Sequence, residues 1–320
     1  MDTGDRKLFA QSVRRATEQH TGAALDAALD ELGWHDALEG DRRDAVSLLF
    51  QMQGAANVTS SALDAVLGQR LGLAPGAAAG TSIVLPPLGK WDPPGVLSPV
   101  AGDRLAVRGI ATGALGDRVA IAWAAGETQV ATIPAESLNV RPISGVDPAL
   151  GVVEVTADLP LRALSPAPAE WAAVVTAGRV AIAYEIVGAC QAMLRLASEH
   201  ALQRVQFGRP IAGFQAVRHR LADSLVAIEA AQACVDSTWD AAGTLAAQLA
   251  KAVAGTAART VGKHAQQVLG GMGYTTDHPL HRYVRRTLVL DQLLGAGSVL
   301  TREIGAQLLR TRELPELLPL

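Results

Sequence analysis

From residue 168 onward the sequence sustains four long helix-compatible stretches, 168–203, 211–241, 244–270 and 280–308, with short turns between them. Nothing else in the chain limits its fold as strongly. Helices this long and apolar must bury their faces on one another, which predicts a four-helix bundle over 166–320. Hydrophobic residues make up 49% of the chain and aromatics only 4%, so the apolar mass is mostly Ala, Leu and Val. Alanine loses no side-chain entropy in a helix and lets neighbouring axes come close. Ala227, Ala230 and Ala231 fall at helical spacing, which suits packing against a partner bundle. The last helix is expected to stop near Pro315 and Pro319.

Two other textures precede the bundle. Over 1–78 the pattern is helical: Leu25, Leu29 and Leu32 recur at helix spacing before a Gly33-Trp34 stop, and Leu63, Val66 and Leu67 follow the cap candidates Ser60 and Ser61. Gly and Ala crowd 74–80 as a linker. Over 79–165 short apolar or β-branched runs at 82–85, 104–108, 119–123, 129–133 and 151–155 alternate with Gly, Pro and Asp turns, which predicts a small antiparallel sheet or barrel. The expected class is α+β, mainly α.

Several functions are disfavoured at once. A formal charge of −3 and a pI near 6.2 give no electrostatic case for nucleic acid or an anionic membrane. Cys190 and Cys234 lie in apolar helical patterns and are expected to be buried free thiols. No metal-ligand pattern is found. The uncharged run over 71–89 is broken by Pro75, Pro86 and Pro87, and the N-terminus opens on an amphipathic helix without an apolar leader. A cytoplasmic protein without a membrane span is expected.

Two motifs carry chemistry. The first, R-x-x-F-G-x-x-I-x-x-F-Q-x-x-x-H-x-L-A-D, runs from Arg204 to Asp223 between two predicted helices. An Arg beside the free N–H groups of a helix start can hold a phosphate, and an ordinary interhelical turn is the competing reading. The second, Q-x-x-G-G-x-G-Y-T, runs from Gln267 to Thr275. Its glycines permit positive φ and a close backbone approach to a planar group, or simply cap a helix. Pro279 then starts the last helix, where Arg282, Arg285 and Arg286 read as a solvated face.

In this order the motifs resemble the C-terminal domain of the flavin-dependent acyl-CoA dehydrogenases, whose helices–sheet–bundle order also matches. The resemblance is motif-specific only from about Gly178 onward. It implies that Arg204 reaches the FAD diphosphate of a neighbouring subunit, with Gln206, Phe207 and Gln215 beside it, and that Gln267 and Gly271 approach the adenosine end. It also implies an acyl-CoA substrate and an electron-transfer flavoprotein as acceptor.

Two departures qualify this. Oxidation of an acyl-CoA needs a carboxylate to take the α-proton while hydride leaves the β-carbon. The positions where family members carry that Glu are Leu294 and Gly178 here, and neither accepts a proton. Arg179 does match the family. Replacement bases are Glu185, on the helical face of Gly178, and Asp291, one turn before Leu294. The family's flavin-ring loop has no counterpart over 85–164; Trp91 and Trp123 could stack on a ring but fit a core or turn role better. Positions retained resemble those acting on a neighbour's FAD, and positions lost resemble those of a subunit's own site. The expectation is therefore the shorter, non-catalytic subunit of the heterotetrameric acyl-CoA dehydrogenases of actinobacterial steroid side-chain degradation, sharing FAD with a catalytic partner subunit. The alternatives are a self-sufficient homo-oligomer with a relocated base, or a helical scaffold without flavin.

Overall fold

The computed structural model describes residues 1–73, 80–98, 103–241 and 243–312. Five helices open the chain: α1 (Thr3–Gln19), α2 (Ala23–Glu31), α3 (Trp34–Gly40), α4 (Arg42–Ala56) and α5 (Ala62–Arg70). Asp2 caps α1 by accepting the Asp5 N–H at 2.8 Å. Leu25 and Leu29 are buried, as their spacing predicts. Gly33, at φ +68°, turns the chain after α2, but Trp34 is no stop: it opens α3. At α5 the Ser60 hydroxyl accepts the Ala62 N–H at 3.3 Å. The linker at 74–80, except Gly80, lies outside the described residues, as do the 78/79 boundary and the stop at Pro315 and Pro319.

Eight strands follow: β1 (Thr81–Ile83), β2 (Gly95–Leu97), β3 (Arg104–Ala111), β4 (Arg118–Ala125), β5 (Glu127–Pro134), β6 (Asn139–Pro142), β7 (Val153–Pro160) and β8 (Ala167–Pro168). They form one sheet in the order β6-β7-β3-β2-β4-β5-β8, with β1 added on β4. Pairing is mainly antiparallel, as expected, but β1 and β2 both lie parallel to β4. All five expected strands are present, each longer or displaced by a residue or two. The run at 82–85 gives β1 and then an isolated bridge from Leu85 to Ile110. Strand β4 is buried on both faces, and the strand period of two divides its residues. Val119, Ile121 and Trp123 join the sheet's own core, while the small Ala120 and Ala122 face the helices.

The C-terminal part holds α6 (Trp171–Gln203), α7 (Gln215–Asp236), α8 (Thr244–Leu269), α9 (Leu280–Gln292) and α10 (Gly297–Thr311). The single helix expected over 280–308 is therefore two. Leu294 and Gly295 take φ of +55° and +106°, conformations no right-handed helix admits. The four-helix bundle becomes a five-helix one by that break. Helix α6 is its axis. It has the length and apolar content of a membrane span, and 83% of its apolar window is buried inside the protein. The N-terminal helices share its core. Where α4 crosses α6, a Cβ on Gly54 would stand 1.9 Å from the Glu185 carbonyl oxygen, and one on Gly188 would stand 1.9 Å from that of Gln51. Only glycine permits the two backbones to touch. Cys190 is buried and free; Cys234 is free but only half-buried.

Candidate functional site

The two positions where the family's base is expected meet in space. Gly178, on α6, faces Leu294 in the α9–α10 break so closely that a Cβ on it would lie 2.3 Å from Leu294 Cδ1 and 3.0 Å from Leu67 Cδ2. Leu294 is 2% exposed. The Leu294 side chain is thus packed against the bare helix backbone at Gly178, and neither position offers a proton acceptor.

Two buried cations hold the break open. Arg179 donates from Nε to the Leu294 carbonyl at 3.0 Å and lies over the Trp91 ring at 5.5 Å. Lys251, fully buried on α8, donates from Nζ to the Asp291 carbonyl at 2.8 Å and to that of Gly295 at 3.3 Å. These carbonyls lack helical partners at the interruption, and the two side chains satisfy them. Burial lowers both cations' affinity for a proton: Arg179 falls to about 10, and Lys251 to about 7, with Arg179 and Arg259 lowering the latter further and Asp291 opposing.

Both replacement bases are engaged. Glu185 accepts from Gln53 Nε2 at 3.1 Å and from Arg286 Nη1 at 3.4 Å. Burial raises its pKa, and Arg286 and Gln53 oppose the rise. Arg286 is fully buried and also binds Asp147 and the Val58 carbonyl. Reading it as part of a solvated face was wrong; only Arg282 and Arg285 are exposed. Asp291 accepts the Gly297 N–H at 3.1 Å, opening α10, and pairs with Arg259 at 3.6 Å. As for the tryptophans, Trp123 is a core residue of the sheet. Trp91 accepts through its carbonyl from Trp171 Nε1 at 2.7 Å and carries Arg179 on its face.

The second group of residues lies at the far end of α6. After Gln203 the chain makes a hairpin, β9 (Val205–Gln206) against β10 (Arg209–Pro210), whose turn residues Phe207 and Gly208 have φ of +52° and +78°. Two successive positive φ values make a type I′ turn. A phenylalanine there is strained, and this one is 92% exposed, its ring edge-on to Phe214 at 6.0 Å. Gln215 begins α7. Helix α8 runs antiparallel to α7, with Ser224 Oγ 3.1 Å from His264 Nδ1, and parallel to α6, with Lys251 beside Arg179 and Gly262 beside Met193. Its C-terminal end therefore returns Gln267 and Gly271 to the end of the bundle that carries Arg204, Gln206, Phe207 and Gln215. All six are exposed. Arg204 makes no ion pair among the described residues, and a Cβ on Gly271 would meet nothing within 4 Å. A free guanidinium, amide side chains, a bare aromatic ring and open glycine backbone fit the diphosphate and adenosine of FAD laid against this surface.

Sequence reasoning missed Lys251 and the role of Arg286. The signal for Lys251 was a lone charge directly before the small apolar run Ala252-Val253-Ala254-Gly255, on a helix whose neighbouring positions are mostly alanine.

Comparisons with known proteins agree with this architecture. The family model for the acyl-CoA dehydrogenase C-terminal domain matches residues 172–309. Over 332 aligned residues the chain is 29% identical to acyl-CoA dehydrogenase IpdE2 of Mycobacterium tuberculosis, covering 95% of this chain and 97% of that protein. The ChsE4-ChsE5 complex from Mycobacterium tuberculosis superposes with a TM-score of 0.78 at 18% identity, over 99% of each chain. A solved steroid ACAD variant gives 0.78 at 22% identity over 96% of each. Residues 172–309 are thus similar to the acyl-CoA dehydrogenase C-terminal domain, and the chain as a whole shares its fold with the butyryl-CoA dehydrogenase of Megasphaera elsdenii, at a TM-score of 0.75 and 19% identity.

Proposed function

We propose that this chain is the non-catalytic subunit of a hetero-oligomeric acyl-CoA dehydrogenase, and that it completes a partner subunit's FAD site in trans. The observation that carries the reading is the contact between Gly178 and Leu294. Both base positions are apolar and packed on each other, so the chain's own acyl site is closed. Meanwhile Arg204, Gln206, Phe207, Gln215, Gln267 and Gly271 stand exposed together at one end of the bundle. Arg204 would hold the diphosphate, with Gln206 and Gln215 beside it. Phe207 would press on the cofactor or the partner, and Gln267 and Gly271 would meet the adenosine. Bound FAD supplies the hydride acceptor for α,β-desaturation of an acyl-CoA, and the partner supplies the base. Assembly as an α2β2 heterotetramer in the cytoplasm and electron transfer to an electron-transfer flavoprotein follow from the same reading. So does an acyl-CoA from steroid side-chain or other lipid catabolism; the complex and the steroid enzyme among the similar structures support it. An apolar groove lined by Ala227, Ala230, Leu249, Val253 and Ile304, across α7, α8 and α10, supports the bundle as the interface.

The experiment is expression alone and with a catalytic acyl-CoA dehydrogenase subunit, followed by flavin content and acyl-CoA turnover. Alone, the chain is expected to bind little FAD and turn nothing over; with the partner, flavin and activity appear together. A flavin-replete homo-oligomer that oxidises an acyl-CoA would refute the proposal, and Glu185→Gln would then be the first variant to make.

A further inference from the structure

On the flank of α6 turned away from Leu294, the molecule has a cleft of ≈ 980 Å³, bounded by α4, α5, the β5–β8 edge of the sheet and the α7–α8 turn. That is the upper end of the size of ligand pockets, roughly 300–1,000 Å³. The cleft lies at the N-terminal half of α6, whereas the residues assigned to FAD lie beyond its C-terminus. It is therefore neither the closed acyl site nor the flavin surface.

Its walls are of two kinds. Trp171 and Trp239 line one part, and the N–H of each indole is already spent: Trp171 Nε1 donates to the Trp91 carbonyl at 2.7 Å, and Trp239 Nε1 donates to the Tyr184 hydroxyl at 2.8 Å. Their rings offer the cleft only apolar surface, continued by Val66 and Ala177. The other part carries Arg42 and Arg70 together. Arg42 is partly buried, donates from Nη2 to the Val66 carbonyl at 3.3 Å, and neither arginine forms an ion pair among the described residues. Burial and the neighbouring Arg70 lower the Arg42 pKa to about 10, which marks a cation held against desolvation and like charge. Glu127 and Glu170 also line the cleft, exposed at its rim, and neither pairs with the arginines. Two neighbouring guanidinium groups that no carboxylate pairs with among the described residues are relieved by an anion from outside.

We infer that this cleft binds an amphipathic anion, with an apolar body against Trp171 and Trp239 and a single carboxylate or phosphate head on Arg42 and Arg70. The test is calorimetric titration of the full chain with dodecanoate, dodecyl phosphate and dodecan-1-ol. One saturable site is expected, with an anion binding at least about tenfold tighter than the alcohol, the difference a charge-assisted contact supplies. Whichever anion binds tighter identifies the head. Arg42→Gln and Arg70→Gln are each expected to weaken the anion about tenfold or more and leave the alcohol unchanged. Because Arg70 is exposed, its variant tests the proposal even if Arg42→Gln does not fold. Arg204→Ala should leave the affinity as it was, since that residue belongs to the flavin reading. Equal affinity for alcohol and anion, insensitivity to both cleft arginines, loss of binding in Arg204→Ala, or no saturable binding would each overturn the inference.

Discussion

At the scale of single residues, the contact between Gly178 and Leu294 is the most telling one. A methyl group added at 178 would overlap Leu294 Cδ1 at 2.3 Å, so the leucine must move inside a filled core. Gly178→Ala is therefore expected to lose about 1–3 kcal/mol by overpacking, against about 1 kcal/mol returned by helix propensity. Combined with Leu294→Ala, the same substitution should cost less than the two single changes added together. Denaturant unfolding of the four proteins in the cycle measures that coupling, and simple additivity would mean the two side chains do not compete for space. Arg204 belongs to the opposite case, an exposed residue whose side chain forms no ion pair among the described residues. In the complex with a catalytic subunit, Arg204→Ala is expected to weaken FAD retention about ten- to a hundredfold with little change in melting temperature, and Arg204→Lys to recover only part. Full flavin occupancy in Arg204→Ala would remove it from the site.

At the scale of elements, the break between α9 and α10 is where local preference and tertiary packing divide. Gly295 permits the turn, but Leu294 has no intrinsic reason to adopt φ +55°. It does so because Arg179 and Lys251 reach across from α6 and α8 to the carbonyls of Leu294, Asp291 and Gly295. Lys251 leaves a measurable trace. Its pKa falls from 10.5 to about 7 on folding, chiefly through burial. Between those values the unfolded chain binds more protons than the native one, so this group makes stability rise with pH across the window and adds no pH dependence below it, where both states carry the proton. Lys251→Met, which keeps most of the volume, should flatten the dependence from about pH 7 to 10. Urea unfolding at several pH values gives the slopes, and identical slopes in both proteins would show that Lys251 does not titrate as its burial implies.

For the whole molecule, the contact of α4 with α6 and the polar network of Arg286 tie the regions together. Arg286 on α9 binds Asp147 beside the sheet, the Val58 carbonyl after α4 and Glu185 on α6. Removing any one partner strands a buried charge, which makes the network a device for fixing how helices and sheet sit on one another. The crossing at Gly54 and Gly188 is the apolar counterpart. Gly188→Ala drives a Cβ into the Gln51 carbonyl at 1.9 Å, and backbone does not yield as a side chain does. The expected cost is about 3 kcal/mol or more, above ordinary overpacking. N-terminal helices and bundle should still melt in one transition, since they share a core; separate calorimetric transitions would contradict that.

The sequence by itself determined the order of helices, sheet and bundle, the helix stop at Gly33, the strand periods and the positions of both motifs. These rest on local patterns, apolar period and turn residues, which act whatever the chain packs against. Because the two motifs are each contiguous in sequence, the turns that carry Arg204, Gln215, Gln267 and Gly271 could be located from it; their exposure together at one end of the bundle, and the strained turn that lifts Phe207 into the open, came from the fold. What only the tertiary structure decided concerns partners far apart in the chain. Period alone marks Arg286 as a residue on a polar helix and Lys251 as a charge among alanines; their burial depends on carboxylates and carbonyls brought from other elements. The same holds for the broken last helix, where two cations stabilise a conformation that propensity disfavours. It holds equally for Gly178 and Leu294: each reads in the sequence as a residue that accepts no proton, and only packing brings them into contact.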